Sequence, residues 1–309
     1  MALHIPTPMV ESAALSRSAA RPVWLKLEAL QPAGSFKIRG IGLACEHYAQ
    51  AGAKRFVSSS GGNAGLAVAY AARLLHVPAT VVVPGTTTER AKQLLRLEGA
   101  EVLVHGASWQ EANAMAQSLL GPSDAFLHPF DNPLLWRGHA SMIDEVAASG
   151  TKPGAVLLSV GGGGLLAGVV EGLQRNGWGD VPVLAVETHG AASLHHSMQT
   201  GQRITLDAIT SIATSLGARQ VCERAFELGQ SGQVRSLLVS DREAVAACNL
   251  FLDDHRLLVE PACGAALAVA YGHATALADF SSVLVIVCGG ATATADNLRQ
   301  WSASLEAAA

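Results

Sequence analysis

The stretch AVLLSVGGGGLLAGVVEGLQ, residues 155–174, reads as strand, glycine turn and helix in immediate succession. Ala155–Ser159 is apolar without alternation, the pattern of a strand buried on both faces. From Leu165 to Gln174 the apolar positions return at helical spacing. Between them Gly161, Gly162, Gly163 and Gly164 let successive backbone N–H groups turn toward one point with no side chain in the way. The helix dipole adds a positive end there, so a phosphate is the natural guest. Glycine runs also make tight turns or let a helix pack closely on a sheet, and that reading stays open. No Gly-Lys-Ser/Thr follows and the G-x-G-x-x-G spacing is missing, so this is neither a Walker loop nor a dinucleotide fingerprint.

The same alternation runs outward in both directions. Strands are expected at Trp24–Leu27, Arg55–Ser58, Ala79–Val83, Glu101–Val104, Val183–Val186, Ser236–Val239 and Val283–Val287. Helices are expected at Asn63–Leu75, Glu89–Leu97, Gln110–Leu119, Arg242–Asp253 and Ala262–His273. A βαβα order of this kind predicts an α/β fold with a mostly parallel sheet flanked by helices. His128-Pro129-Phe130-Asp131-Asn132-Pro133 interrupts the pattern, because two prolines around Asp-Asn break helix and strand alike. Strands lie on both sides of that turn, which predicts two lobes, each a mostly parallel sheet, with a cleft between them.

Bulk composition narrows the function. The chain has 309 residues, of which half are apolar and only 15% charged, so the core is large and a disordered protein is excluded. A net charge of −4 and a pI near 6.2 leave no basic surface for nucleic acid or an anionic membrane. Five cysteines, widely spaced and without a C-x-x-C pair, fit reduced thiols in a cytoplasmic protein. The first residues lack a basic segment followed by an apolar one, and no apolar run approaches membrane length. The histidines show no ligand spacing that favours zinc.

Three further segments carry chemistry. Ser35-Phe36-Lys37-Ile38 places one lysine among mostly uncharged neighbours at a helix start. A lysine there loses hydration, which disfavours its ammonium form and frees a nucleophilic amine able to form Schiff bases with carbonyl compounds. Lysines at helix starts are also common as solvated surface groups, and this tetrapeptide alone does not decide between the two. Ser58-Ser59-Ser60-Gly61-Gly62-Asn63-Ala64-Gly65 gathers hydroxyls, N–H groups and an amide at a helix N-terminus, suited to a carboxylate or a phenolic oxygen. An ordinary N-cap through Asn63 or Ser60 explains that segment equally well. Cys288, after the last strand, reads by itself as buried filler.

Together these segments resemble the fold-type II pyridoxal phosphate enzymes, the fold type of the tryptophan synthase β subunit, and within them the serine/threonine dehydratase family. The resemblance runs through SFKIRG (35–40), SSSGGNAG (58–65), HPFDNPLLWRGHAS (128–141), LSVGGGGLLAGVVEGLQ (158–174), GWGDVPV (177–183), VETHGAAS (186–193), LVEPACGAALA (258–268) and VIVCGG (285–290). It implies a large cofactor-binding domain from residues 1–34 and 134–309, a small domain from 35–133, and a site between them. It implies Lys37 as the Schiff-base lysine and Phe36 as the aromatic residue beside it. It implies Asn63 on the cofactor's ring oxygen, Gly161, Gly162, Gly163 and Gly164 around its phosphate, and Cys288 facing its pyridine nitrogen. Ser60, Gly61, Gly62 and Ala64, with Asn63, match the loop that holds the substrate carboxylate. Gly161, Glu187, Ala191, Ser193, Leu216 and Ala218 match the ligands of a monovalent cation, usually potassium, and hard oxygen donors suit such an ion. The activity implied is β-elimination from L-serine, and from L-threonine, to a 2-oxo acid and ammonia, by a cytoplasmic homodimer.

Rival activities follow from the same scaffold. Racemases of this fold type carry a serine where Gly61 stands, acting as a second acid/base on the far face of Cα. Gly61 has no side chain to do so. The isoleucine-regulated threonine dehydratases add a C-terminal regulatory domain, whereas this chain ends at Ala309, so feedback control of that kind is not expected. A non-catalytic binding protein would be expected to lack Lys37. No cysteine sits in a motif that pairs it with a histidine base, which leaves a cysteine hydrolase marginal.

Overall fold

The computed structural model describes residues 2–307. The first half of the chain forms β1 (Met9–Glu11), α1 (Ala13–Ala19), β2 (Val23–Lys26), α2 (Lys37–Gln50), β3 (Arg55–Ser58), α3 (Asn63–Leu75) and β4 (Ala79–Val83). It continues with α4 (Glu89–Leu97), β5 (Glu101–Val104), α5 (Trp109–Ser118), β6 (Asp124–Phe126) and α6 (Pro133–Ala148). The second half forms β7 (Ala155–Ser159), α7 (Gly164–Arg175), β8 (Val183–Thr188), α8 (Ser193–Thr200), α9 (Glu223–Gln230) and β9 (Val234–Val239). Then come α10 (Asp241–His255), α11 (Pro261–Gly272), β10 (Val283–Ile286) and α12 (Ala295–Ala307).

The strands build two sheets. One is six-stranded in the order β1-β2-β10-β7-β8-β9, parallel except for β1, and draws on both ends of the chain. The other is four-stranded, β5-β4-β3-β6, parallel throughout, and comes from residues 55–126. Strands β4, β7 and β10 are buried at every position, which is why they read as unbroken apolar runs. The α/β architecture expected from the sequence is the one observed.

Two expectations need correcting. Pro133 does not break a helix but opens one: it is the first residue of α6, and the Asn132 side chain accepts the N–H of Leu134 at 2.8 Å. Proline has no N–H to lose at that position and its fixed φ suits a first turn. Strands β1 and β6 escape sequence reading because each is three residues long and lies at a sheet edge. Periodicity cannot mark so short a run; its partner strand defines it.

Helix α2 carries Lys37, and its placement rests on two devices. At Gly40 and Gly138, α2 and α6 touch backbone to backbone, and a Cβ on Gly138 would lie 2.6 Å from Gly40 Cα. Next to Gly40 in the chain, Arg39 is fully buried and bonds Glu28 at 2.7 Å and Glu145 at 2.7 Å, while Lys26 donates to the same Glu145. Those carboxylates hold the Arg39 guanidinium firmly charged despite its burial. The ion cluster ties α2 to β2 and α6, so the lysine two residues earlier has a fixed origin. Replacing Arg39 with Met strands a fully buried Glu28, and we expect a loss of roughly 3–5 kcal/mol, read as a lowered midpoint in urea denaturation of the protein.

Candidate active site

The turn that presents Lys37 is stitched to the turn that follows β10. Phe36 N–H donates to Cys288 O at 3.1 Å, Gly290 N–H donates to Gly34 O at 2.9 Å, and Ser35 pairs with Gly289. Lys37 is thereby held at the N-terminus of α2, above the C-terminal end of the six-stranded sheet. Its Nζ donates to Pro129 O at 2.6 Å and lies 5.1 Å from the Phe36 ring centre. Burial pushes the amine down to about 8, against the opposing pull of Cys288, Glu260 and Cys222. The Phe36 ring stands edge-on to His139 at 4.8 Å, and burial holds that imidazole well below its usual range and so neutral.

The carbonyl that receives Lys37 belongs to the His128–Pro133 turn. His128 Nδ1 accepts the N–H of Asp131 at 2.8 Å and of Phe130 at 3.3 Å, which curls the turn and aims Pro129 O at the amine. The segment read from sequence as a boundary is therefore also a wall of the site.

Opposite Lys37 lies the glycine turn between β7 and α7. Gly163 takes φ +94 and precedes the first residue of α7. A side chain on Gly162 would fall inside the Phe130 ring, and one on Gly164 would lie 2.7 Å from Phe130 O. Among the described residues, the N–H groups of Gly161, Gly162 and Gly163 donate to no protein acceptor. Unspent donors at the positive end of a twelve-residue helix fit a phosphate.

Asn63 is the first residue of α3 and does not cap it; Gly62 stands at the cap position and no side chain caps the helix. The Asn63 amide is engaged elsewhere: Nδ2 donates to Glu260 Oε1 at 2.7 Å, and Oδ1 accepts the N–H of Ala291 at 3.2 Å. The N-cap reading of this loop is thus set aside. Lys37, Phe36, Asn63, Cys288 and Gly161 to Gly164 line one cavity, together with Phe130, Ser215 and Glu260. Ser60, Gly61, Gly62 and Ala64 are not on that wall; the first three lie in the turn leading to Asn63, and Ala64 follows it in α3. Cys288 is buried, and the neighbouring Cys263 together with burial holds its thiol protonated.

Sequence reading missed Glu260, Pro129 O, Phe130 and Ser215. Glu260 had one available signal, an acidic residue inside the apolar run Leu257–Ala270 with no basic neighbour in that run. Pro129 acts through its backbone, and the roles of Phe130 and Ser215 come from tertiary contact.

The residues matched to a cation gather at the ends of β7 and β8, which Val160 N–H to Val186 O joins at 2.8 Å. Glu187 is fully buried and its carboxylate accepts the N–H groups of Leu194 and His195 at 2.8 and 2.7 Å. No lysine or arginine pairs with it among the described residues, and burial pushes its carboxyl up to about 8. Ser193 Oγ is buried with no partner, and Ala191 is buried beside it in the chain. Leu216 backs directly onto Gly161, and its carbonyl accepts the N–H of Ala218 at 2.7 Å.

Comparison with known proteins agrees with this geometry. Residues 1–289 match the family model described as pyridoxal-phosphate dependent enzyme. The L-serine dehydratase/L-threonine deaminase of Homo sapiens is 49% identical over 308 residues, covering 96% of this chain and 94% of its own. The crystal structure of an L-serine ammonia-lyase from the fungus Rhizomucor miehei superposes with a TM-score of 0.92 at 37% identity, covering 97% of this chain and 98% of that one. Maize serine racemase shares the fold, with a TM-score of 0.88 at 24% identity over 99% of this chain and 94% of the other. The chain belongs to the pyridoxal-phosphate dependent enzymes of fold type II, in the serine/threonine dehydratase family.

Proposed function

We propose that this chain is an ammonia-lyase that converts L-serine, and also L-threonine, to the 2-oxo acid and ammonia. The observation that carries the reading is a desolvated lysine amine facing a run of unspent glycine N–H donors across one cavity. Pyridoxal phosphate, when bound, supplies an aldehyde for covalent attachment and an electron sink for charge developing at Cα. The residues present fit it. Lys37 would be its anchor, Gly161 to Gly164 would hold its phosphate, Asn63 would donate to its ring oxygen, Phe36 would pack beside the anchor, and Cys288 would face its pyridine nitrogen.

Lys37 has two tasks in this reading. As nucleophile it must be unprotonated, and burial supports that near neutral pH. Released from the cofactor, the same amine is the base that takes the proton from Cα. Ser60, Gly61, Gly62, Asn63 and Ala64 hold the substrate carboxylate with hydroxyl, amide and N–H donors at the start of α3. A neutral thiol at Cys288 does not hold a proton on the ring nitrogen as a carboxylate would, which disfavours long-lived carbanions and transamination. Gly61 leaves the far face of Cα without an acid, so elimination is favoured over racemisation. A Cβ there would stand 2.7 Å from a Thr87 methyl, so the space is already filled.

The reading extends to a monovalent cation, most simply potassium, held by Gly161, Glu187, Ala191, Ser193, Leu216 and Ala218. An unpartnered buried hydroxyl and a buried carboxylate without a cation support it. It also extends to the division into residues 1–34 with 134–309 and residues 35–133, supported by the two separate sheets.

Three outcomes are expected. Lys37→Ala should lower 2-oxo acid release from L-serine by about 10²–10⁴-fold or more, and borohydride should no longer fix the cofactor to the chain; an active variant would remove the central assignment. In the cofactor-free protein the unprotonated fraction of Lys37 grows as pH rises through about 8. Its modification by an amine-selective reagent should therefore level off just above that pH, where an ordinary lysine keeps rising, as peptide mapping can follow. Exchange of potassium for tetramethylammonium should depress activity, and Glu187→Ala should abolish the difference between the two salts.

A further inference from the structure

Glu260 is the only acidic side chain on the wall of the Lys37 cavity among the described residues. It is buried, and among the described residues it forms no ion pair with lysine or arginine. A carboxylate in that position costs stability unless its oxygens are well used. It stands at the N-cap of α11, yet its side chain does not cap the helix. Capping therefore does not account for it. Its Oε1 instead accepts Nδ2–H of Asn63 at 2.7 Å, and Ser215 lines the same wall of the cavity. Room for it is made by Gly290, where a Cβ would lie 2.5 Å from Glu260 Cγ.

The other end of Asn63 is held as well, since Oδ1 accepts the N–H of Ala291. A carboxamide has two N–H donors and one oxygen acceptor. With the oxygen on Ala291 and one N–H on Glu260, turning the amide over would break both bonds. One N–H is left uncommitted.

Resting on the function proposed above, we infer that Glu260 is the positioning residue of this site: it clamps Asn63 so that the remaining N–H of the amide serves the ring oxygen of the cofactor. Lys37 from α2, Ser159 at the end of β7, Ser215 from the segment before α9 and Cys288 after β10 are the other polar side chains around the pair. Burial pushes the Glu260 carboxyl up to about 7, and the nearby Ser215, the hydrogen bond from Asn63 and the field of Lys37 restrain that rise.

The experiment is a titration of cofactor-free protein with pyridoxal phosphate, followed by absorbance, for Asn63→Ala, Glu260→Ala, Glu260→Gln and the double alanine variant. Asn63→Ala and Glu260→Ala are each expected to raise Kd about tenfold, the scale of one hydrogen bond to a charged group. Because Glu260 acts through Asn63, the double variant should bind within about twofold of Asn63→Ala alone. Glu260→Gln keeps an oxygen for Nδ2–H and should restore Kd to within about twofold of the parent, with the bound cofactor's absorbance band unmoved. Wild-type binding by Glu260→Ala overturns the inference, and so does a double variant whose loss is the product of the two single losses. Unchanged binding by Asn63→Ala overturns instead the placement of Asn63 on the cofactor, which separates that failure from one at Glu260. Thermal unfolding of the cofactor-free forms reports whether each variant folds. Should Glu260→Ala not fold, Glu260→Asp takes its place: the retracted carboxylate should weaken binding about tenfold if the clamp is real, and not at all if Glu260 only fills space.

Discussion

Everything at this site turns on keeping one amine dry. Lys37 stands at the first position of α2, where the helix presents its positive end, and its side chain is half-buried in the cavity. Both circumstances oppose an ammonium ion. Its one hydrogen bond goes to a neutral carbonyl, Pro129 O, and not to a carboxylate that would hold the proton on. Two residues along the same helix, Arg39 is fully buried and has the opposite treatment, with Glu28 and Glu145 both bonded to it. One cation is paired so that it stays charged and fixes the helix. The other is left without a paired carboxylate so that it can shed its proton.

That contrast explains why the molecule needs both sheets. The six-stranded sheet supplies the glycine turn after β7 and the Cys288 turn after β10, both at C-terminal strand ends, where open α/β sheets place their ligands. The four-stranded sheet supplies Asn63 after β3. Lys37, Asn63 and Glu260 come from three separate helix starts, and the bonds from Phe36 to Cys288 and from Asn63 to Glu260 and Ala291 draw those starts together. A cofactor seated among them would be enclosed by groups anchored on both sheets.

Glu187 and Glu260 set the two acidic residues of the neighbourhood apart from the Arg39 cluster. Each is buried with its carboxyl raised, and each accepts from N–H donors, not from a basic side chain. Such groups are poor investments for stability. Their positions, one beside the glycine turn and one on the cavity wall, give them a use in holding a ligand or the residue that meets it.

The chain's own sequence was enough to define the βαβα order and the glycine turn before α7, which are local: apolar runs and glycine runs are written in adjacent residues. Lys37, Asn63 and Cys288 became candidates only together, through the resemblance of segments spread along the whole chain to one enzyme family. The sequence was not enough to show β1 and β6, which exist only through their partner strands, or that Pro133 starts a helix. Nor could it reveal the Pro129 carbonyl on Lys37 or the clamp of Glu260 on Asn63, because those contacts join residues 92 and 197 positions apart. Only the folded chain brings them within hydrogen-bond reach. Burial itself was decided there too, since the same lysine is a surface charge or a nucleophile according to what packs around it.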